Sequence, residues 1–265
     1  MPEADLALLT DAAREAGDIA LRFWKRSPRV WDKGEQGPVT EADIAVNDRL
    51  MAVLRGARPG YGWLSEESAD DAARLDCEHL FIIDPIDGTR AFIQGETCFS
   101  HSLAVARRGQ LVAAVVFVPA IDKLYAATID GAATCNGAVL RCSDRAGVDG
   151  ATLLTSKANM VADRWGGVVP PVKRVFRASI AYRMALVAEG VFDGMLTLRP
   201  TWHWDVAAGG LIAMRAGAAV TDRLGQPVQF NTPDPRSDGM LCAAPLLHAD
   251  LSARQNAQGH PKVAL

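Results

Sequence analysis

The sequence lacks the marks of a disulfide-rich, zinc-binding or membrane protein. Its five cysteines are scattered and include no Cys-x-x-Cys pair, which favours free thiols in a reducing cytoplasm over a disulfide framework or a zinc site. No apolar run reaches the roughly 18 residues that a membrane span needs, and the N-terminus lacks the basic segment of a signal peptide. We therefore expect a cytoplasmic protein with no membrane span.

An excess of positive charge is also missing. The chain has 28 Lys and Arg residues against 31 Asp and Glu residues, which gives a formal net charge of −3. Nucleic-acid polymers are not expected as partners, because no global basic surface would attract them. The glycine-rich signatures of nucleotide kinases and of dinucleotide-dependent dehydrogenases are absent as well. An anionic ligand would therefore need a metal ion or local dipoles to attract it.

Apolar patterning predicts two halves of different character. The 265 residues, 49% of them hydrophobic, suffice for a substantial core. The first half, residues 1–146, begins with an amphipathic helix from 4 to about 26 that Pro28 stops, and a mobile loop over 31–38 follows. Thr40, with Asp43 three positions later, predicts the cap of a second helix.

The rest of the first half reads as strands, and the second half, residues 147–265, alternates strands with helices. Strands are predicted at 61–64, 80–83, 99–106, 111–118, 123–128, 151–155, 172–176, 193–198 and 218–222, and helices near 160–165, 180–189 and 205–216. Asn136-Gly137 predicts a hairpin turn, and residues 254–265 are expected to fray. The pattern indicates an α/β protein with layered helices and sheets.

The most informative stretch is Asp84-Pro85-Ile86-Asp87-Gly88-Thr89, directly after an apolar strand. Two carboxylates at the end of a strand are a usual way to hold a hard cation such as Mg²⁺. The backbone N–H groups of Gly88 and Thr89 could then face a phosphate. The alternative is a pair of Asx turns that only shape the backbone.

Two further acidic features lie at junctions between elements. Glu66-Glu67 follows a strand, and Asp205 heads an apolar helix. Glu66-Glu67 is either a solvated acidic turn or a pair in which one side chain binds metal. Asp205 is either a helix N-cap or a further ligand, and two carboxylates seldom complete the oxygen shell of Mg²⁺.

Asp43 and Thr89 form a second candidate pair. A hydroxyl that is hydrogen-bonded to a carboxylate could orient an attacking water and pass on its proton. Asp43 could instead serve only its helix cap, and the sequence does not place it beside Thr89.

Several motifs, in this order and spacing, resemble the inositol monophosphatase superfamily over nearly the whole chain. They are Val39-Thr40-Glu41-Ala42-Asp43, Ser65-Glu66-Glu67-Ser68, Asp84 to Thr89, Leu186 to Gly190, Trp204-Asp205-Val206-Ala207-Ala208-Gly209 and Ala243 to His248. The resemblance implies an α-β-α-β-α sandwich and a phosphomonoesterase that uses two or three Mg²⁺ ions.

The resemblance also implies the roles of individual residues. The implied metal ligands are Glu66, Asp84, the Ile86 carbonyl, Asp87 and Asp205. Catalysis is assigned to Asp43, Thr89 and Glu66, and substrate binding to Asp87, Gly88, Thr89, Arg183 and Asp205. By analogy with the family, a homodimer is favoured.

The substrate is a small phosphorylated metabolite, and its identity depends on residues outside these motifs. Inositol-specific members carry a glutamate seven residues before the third-motif aspartate, where this chain has Leu198. The run Pro200 to Asp205 resembles the bacterial bisphosphate nucleotidases of the CysQ type. Arg183 takes the place of a lysine in that subgroup and could meet a second phosphate, although an exposed helix arginine is the alternative.

These departures favour 3'-phosphoadenosine 5'-phosphate, which would be hydrolysed to AMP and phosphate. Trp202 and His203 could contact its adenine ring, although an aromatic residue next to a helix start more often serves packing. Inositol 1-phosphate and histidinol phosphate are the alternative substrates. A metal-dependent binding protein with little turnover is the alternative class, since fold does not fix function.

Overall fold

Five layers in the order α-β-α-β-α build residues 1–34 and 37–256, which are the residues that the computed structural model describes. The predicted layered α/β fold is confirmed. Residues 257–265 lie outside the described residues, and with them most of the segment that is expected to fray.

The outer helical layer consists of α1 (Pro2–Phe23) and α2 (Glu41–Ala57). The prediction that Pro28 ends α1 is wrong, because the chain leaves the helix after Phe23. Lys25 and Ser27 both adopt positive φ angles, 61° and 52°, so the backbone has already turned before the proline.

A short ribbon joins the two helices where the sequence predicts only a loop. Its strands are β1 (Val30–Asp32) and β2 (Pro38–Thr40), which pair antiparallel. Residues 35 and 36, at its tip, are outside the described part of the chain.

The cap of α2 is confirmed. The N–H of Asp43 donates to Thr40 Oγ1 at 3.4 Å, and the N–H of Thr40 donates to Asp43 Oδ2 at 2.8 Å. This reciprocal pair is a capping box with Asp in place of Glu.

A seven-stranded sheet packs under α1 and α2. Its strands follow one another in chain order: β3 (Gly62–Ser65), β4 (His79–Asp87), β5 (Ser100–Arg107), β6 (Gln110–Val118), β7 (Lys123–Thr128), β8 (Thr134–Cys135) and β9 (Ala138–Val139). β3 and β4 run parallel and the other pairs are antiparallel, so the predicted meander is confirmed. Asn136 and Gly137 both have positive φ, as the two-residue hairpin requires.

The ladder between β4 and β5 is interrupted at the motif. Asp84 pairs with Ser102 and Asp87 with Ser100, and the register shifts between these two pairs. Pro85 has no N–H to give to the ladder, so the strand loosens there. The short helix α3 (Thr89–Ile93) then begins directly after Gly88.

The central layer consists of α4 (Ile180–Ala188) and α5 (His203–Arg215), which pack against each other. Gly209 sets their spacing. A Cβ at this position would lie 2.9 Å from the Ala181 carbonyl oxygen and 2.7 Å from Met184 Cβ, so no side chain fits there.

The second sheet and the last helix complete the layers. In spatial order its strands are β11 (Lys173–Val175), β10 (Thr152–Leu154), β12 (Gly194–Thr197), β16 (Met240–Ala243) and β14 (Ala219–Thr221), and α6 (Pro245–Asn256) covers it. A small ribbon of β13 (Thr201–Trp202) and β15 (Arg236–Ser237) stands apart.

The helix predicted near 160–165 is wrong. Two single 3₁₀ turns, 157–159 and 162–164, replace it. Gly166 and Gly167, with φ of 58° and 95°, turn the chain away before a helix can lengthen.

The largest core cluster combines side chains of both halves, for example Leu80 of β4 and Leu211 of α5. The first sheet ends before residue 147 and the second begins after it, but α4 and α5 touch both sheets. The division into 1–146 and 147–265 therefore stays a prediction. No helix in the described ranges is long and apolar enough to cross a membrane.

Candidate functional site

Three carboxylates from distant parts of the chain meet in one cavity. Asp84 and Asp87 come from the end of β4, and Asp205 comes from the first turn of α5. One oxygen of each lies within 4.8 Å of the others. The cavity has a volume of about 600 Å³, and Glu66, Ile86, Gly88, Thr89 and Arg183 also line it. All sequence-predicted metal ligands therefore face one space.

Asp84 is a buried carboxylate with little support from the protein. Its side chain is buried, and Oδ1 has no hydrogen-bond partner among the described residues. Burial raises its pKa well above the usual value, and the negative charges of Glu66, Asp87 and Asp205 raise it further. A buried carboxylate with an unused oxygen and three acidic neighbours fits a divalent cation. The cation would bind the unpaired oxygen and offset the repulsion between the carboxylates.

Asp87 is held from the far side by α4. Its Oδ2 accepts hydrogen bonds from Ser179 Oγ at 2.7 Å and from the N–H of Ala181 at 2.6 Å. These bonds join it to the start of a helix 92 to 94 residues away, so the interpretation as a local Asx turn is wrong. Burial raises its pKa, while the bonds from Ser179 and Ala181 oppose this rise.

Asp205 is not the cap of α5. Trp202 occupies the N-cap position, and Asp205 is the third helical residue and makes no capping bond. The interpretation as a simple N-cap is wrong, and the side chain lines the cavity instead. Burial is the main cause that raises its pKa, and the negative charges of Asp87 and Glu66 raise it further.

Glu66 and Glu67 both form ion pairs with Lys33. Lys33 Nζ donates to Glu67 Oε1 at 2.6 Å and to Glu66 Oε1 at 3.3 Å. The side chains of Glu66 and Glu67 are only 18% and 4% exposed, so the pair is not a solvated turn. Glu66 lines the cavity, and burial raises its pKa despite the charge of Lys33.

Thr89 joins the acidic cluster to Asp43. Its Oγ1 lies 3.1 Å from the Ile86 carbonyl oxygen and 3.3 Å from Asp43 Oδ1. Burial raises the pKa of Asp43 to about 6, although Thr40 donates to it from both the hydroxyl and the N–H. Asp43 thus serves its helix cap with one oxygen and faces Thr89 with the other.

Gly88 makes this arrangement geometrically accessible. Its φ of 96° is a left-handed conformation that residues with a side chain rarely adopt. A Cβ there would also lie 3.2 Å from the Cys98 carbonyl oxygen and from the Ser179 nitrogen.

His101 of β5 is a residue that the sequence reasoning missed. Its imidazole is fully buried, and Nδ1 is hydrogen-bonded to the Pro85 carbonyl between the two aspartates. Burial lowers its pKa to about 4, so the neutral ring holds this carbonyl. No local sequence signal announces a contact that depends on the pairing of β4 with β5.

The residues expected to recognise the substrate are only partly where the sequence suggested. Leu198 packs into the core, whereas Thr197 and Arg199 on either side of it line the cavity. The alternation of side chains along an extended segment explains this difference. His203 is also buried and packs on Phe230, so it cannot reach a ligand in the cavity.

Arg183 is not an exposed helix residue. Its guanidinium is buried, donates to the carbonyls of Arg177 and Ala178, and lies 4.6 Å from the ring centre of Phe176. It nevertheless contributes to the cavity wall.

Comparison with known proteins is consistent with this geometry. The family model described as "Inositol monophosphatase family" matches residues 2–260. An inositol-1-monophosphatase of Rhizobium meliloti is 36% identical over 223 residues, which cover 80% of each chain. The Nus factor SuhB of Escherichia coli is 33% identical over 232 residues, 83% of this chain and 85% of its own.

A solved structure of similar shape is that of the Thermotoga maritima IMPase. It superposes with a TM-score of 0.84 at 27% identity and covers 97% of this chain and 98% of its own. None of these three relatives carries the name of a bisphosphate nucleotidase, so the resemblance to that subgroup stays a prediction.

Proposed function

Because the chain belongs to the inositol monophosphatase family, a family of metal-dependent phosphatases, we propose that it hydrolyses a small phosphomonoester with Mg²⁺. The observation that carries the proposal is the convergence of Asp84, Asp87 and Asp205 within 4.8 Å beside Thr89.

Two or three Mg²⁺ ions would be held by five groups: Glu66, Asp84, the Ile86 carbonyl, Asp87 and Asp205. The unpartnered Oδ1 of Asp84 and the absence of a capping role for Asp205 support this assignment. When bound, Mg²⁺ lowers the pKa of a coordinated water and neutralises charge on the phosphoryl oxygens. Asp87, fixed by Ser179 and Ala181, holds its ligand position with little freedom.

Thr89 and Asp43 would orient the attacking water. The Thr89 hydroxyl can donate to Asp43 Oδ1 while its lone pairs accept a hydrogen bond from water. Because its pKa is raised to about 6, Asp43 is a better proton acceptor than an ordinary aspartate and is still ionised at neutral pH. The pair would thus draw the proton away as the water attacks.

The phosphate would lie on the N–H groups of Gly88 and Thr89. The first N–H groups of a helix have no partners within the helix, and α3 begins at Thr89. Glu66, which lines the same cavity, would complete the site.

For the substrate we propose 3'-phosphoadenosine 5'-phosphate, which would yield AMP and phosphate. The support is that Arg183 and Arg199 both line the cavity, and that Thr197, which lines it as well, carries no carboxylate to bind sugar hydroxyls. A ligand with a phosphate at each end suits this cavity, because the carboxylates would hold Mg²⁺ for one phosphate and the guanidinium groups could bind the other.

Inositol 1-phosphate is the second candidate, because relatives that are 32% and 36% identical are named inositol-1-monophosphatase. Histidinol phosphate is a third substrate to compare. A metal-dependent binding protein without turnover is the alternative outside enzyme chemistry.

The deciding experiment compares phosphate release from these three compounds at one Mg²⁺ concentration. We expect the highest kcat/KM for 3'-phosphoadenosine 5'-phosphate. Fastest turnover of inositol 1-phosphate would refute the substrate, and Mg²⁺-dependent binding without any phosphate release would favour the binding protein.

A further inference from the structure

Arg199 is a positively charged residue at the mouth of the cavity, outside the proposed metal ligands and catalytic residues. It directly follows Leu198 after the end of β12, its side chain is exposed, and it lines the cavity. Within residues 1–34 and 37–256, no carboxylate lies close enough to form an ion pair with it, whereas Lys33, Arg58 and Arg74 all have such partners. Its guanidinium is therefore available to a ligand.

The position of Arg199 is close to the other charged groups of the site. Its charge contributes to lowering the pKa of Arg183, to about 10, after the larger effect of burial. It also opposes the rise in the pKa of Asp205. Two guanidinium groups at one cavity repel each other, and an anion bound between them would offset this repulsion.

Arg183 by itself is poorly suited to bind a second anion. Two of its nitrogens donate to the carbonyls of Arg177 and Ala178, and Phe176 covers one face of the group. These contacts fix the segment 176–178 against α4, which is a structural task. Arg199 has no comparable task among the described residues, where its backbone carbonyl accepts a hydrogen bond from the Thr201 hydroxyl and its guanidinium forms none.

Arg90 also lines the cavity, but it belongs to α3 and not to the segment after β12. Its guanidinium is beside Gly37 of the loop that follows β1. It follows Thr89 directly, so it is tied to the end of the cavity where the reacting phosphate would lie.

We propose that Arg199 is a specificity-determining residue, which binds a second anionic group at the far end of the phosphomonoester and thereby selects doubly charged substrates. This inference rests on the proposed phosphatase function. Arg183 lies beside the second anion and is held in place by its loop contacts. Phe176, which is 49% exposed at the same mouth, offers an apolar face to a planar ring between the two charged ends.

The test is a comparison of two substrates with the same reacting ester. Adenosine 3',5'-bisphosphate carries a distal phosphate and adenosine 3'-monophosphate does not. For Arg199→Gln we expect kcat/KM for the bisphosphate to fall about ten- to a hundredfold, the range for losing a charge-assisted hydrogen bond. For the monophosphate we expect a change below about threefold, and Arg199→Lys should restore part of the loss because it keeps the charge without the planar fork.

Arg174→Gln is the matched control. Arg174 is exposed on β11, which β10 separates from β12, and it does not line the cavity, so this variant removes one positive charge without touching the site. It should leave the ratio of the two kcat/KM values unchanged. Equal losses on both substrates in Arg199→Gln would mean that Arg199 acts on the reacting phosphate or on folding, and no loss on either would mean that it contacts no ligand. Either result overturns the proposal.

A binding measurement separates this proposal from the phosphatase function. With Mg²⁺ present and turnover slowed by Thr89→Ala, calorimetric titration should show tighter binding of the bisphosphate than of the monophosphate. The added Arg199→Gln change should remove that difference. If the wild-type protein releases phosphate from no ester, the proposed function fails while this titration still decides the role of Arg199.

Discussion

The hydroxyl of Thr89 lies 3.3 Å from Asp43 Oδ1, although 46 residues separate the two in the chain. The other oxygen of Asp43 accepts from the Thr40 N–H at 2.8 Å and from the Thr40 hydroxyl at 2.6 Å. One carboxylate therefore caps α2 and faces the candidate site at the same time. Because the two oxygens have different partners, the structural and catalytic tasks can be separated by mutation.

Replacing Thr89 with Ala should lower kcat by about a hundredfold or more, the usual range for loss of a positioned proton-transfer group. Thr89→Ser keeps the hydroxyl and should retain most of the activity. Mg²⁺ binding, measured by calorimetry, should be nearly unchanged in both variants. A Thr89→Ala enzyme with near-normal kcat would exclude the hydroxyl from the reaction.

Thr40→Ala and Asp43→Asn should separate the cap from the catalysis. Thr40→Ala removes the capping hydroxyl and should lower the free energy of unfolding by about 1 kcal/mol with little change in kcat. Asp43→Asn retains an oxygen for the Thr40 N–H but no proton acceptor for Thr89, so kcat should fall strongly. Urea denaturation and kcat are measured on the same samples. If kcat falls only as far as the folded fraction falls, Asp43 has no role beyond the cap.

How far the sequence predicts this molecule depends on how local each feature is. The capping box of Thr40 and Asp43, the hairpin at Asn136-Gly137 and the strands of the first sheet follow from neighbouring residues, and the structure confirms them. The motif from Asp84 to Thr89, taken together with Glu66 and Asp205, predicts a metal site from the sequence. Side chains whose environment depends on packing between distant elements were not predictable.

Leu198 and Arg183 illustrate that limit. The motif spacing predicts that Leu198 lies at the substrate. Side chains of β12 and of the residues after it alternate between the two faces, so Leu198 packs into the core while Thr197 and Arg199 line the cavity. The sequence leaves two interpretations of Arg183, an exposed helix residue or a ligand contact. Only the fold reveals that the segment 176–178 covers it.

Without metal, stability should fall as pH rises. The folded-state pKa of Asp84 is raised, so its contribution is fully present below the unfolded value, near 3.8, and is lost as pH rises through the folded value. Thermal melts in EDTA should therefore show Asp84→Asn gaining stability relative to the wild type as the pH rises above the unfolded value of 3.8. The difference between the two proteins cancels the opposite effect of His101 and His203, whose lowered pKa values cost stability at acidic pH.

Mg²⁺ should remove this deficit in the wild type and help Asp84→Asn much less, because binding to the folded state alone raises stability. A difference in melting temperature that does not change with pH would contradict the crowding of carboxylates in the site.

Replacing Gly209 and Gly210 of α5 with alanine should change the stability of the fold in opposite directions. Gly209→Ala forces a Cβ against Ala181 and Met184 and should destabilise the fold by about 1–3 kcal/mol. Gly210→Ala places its Cβ no closer than 3.6 Å to Met184 Cε, an ordinary contact, and should stabilise the helix by up to about 1 kcal/mol. Urea denaturation checks both values. Equal effects of the two changes would mean that α4 and α5 are not packed as closely as described.

The central claim is that Asp84, Asp87 and Asp205 together hold the Mg²⁺ on which phosphate ester hydrolysis depends. The most direct measurement is phosphate release against Mg²⁺ concentration for the wild type and for Asp205→Asn, whose side chain makes no capping bond in α5. We expect the wild type to be inactive in EDTA and to gain activity with Mg²⁺, and the folded variant to remain below about one hundredth of that rate at any Mg²⁺ concentration. Wild-type hydrolysis that persists in EDTA, or a variant with a normal rate, would contradict the claim.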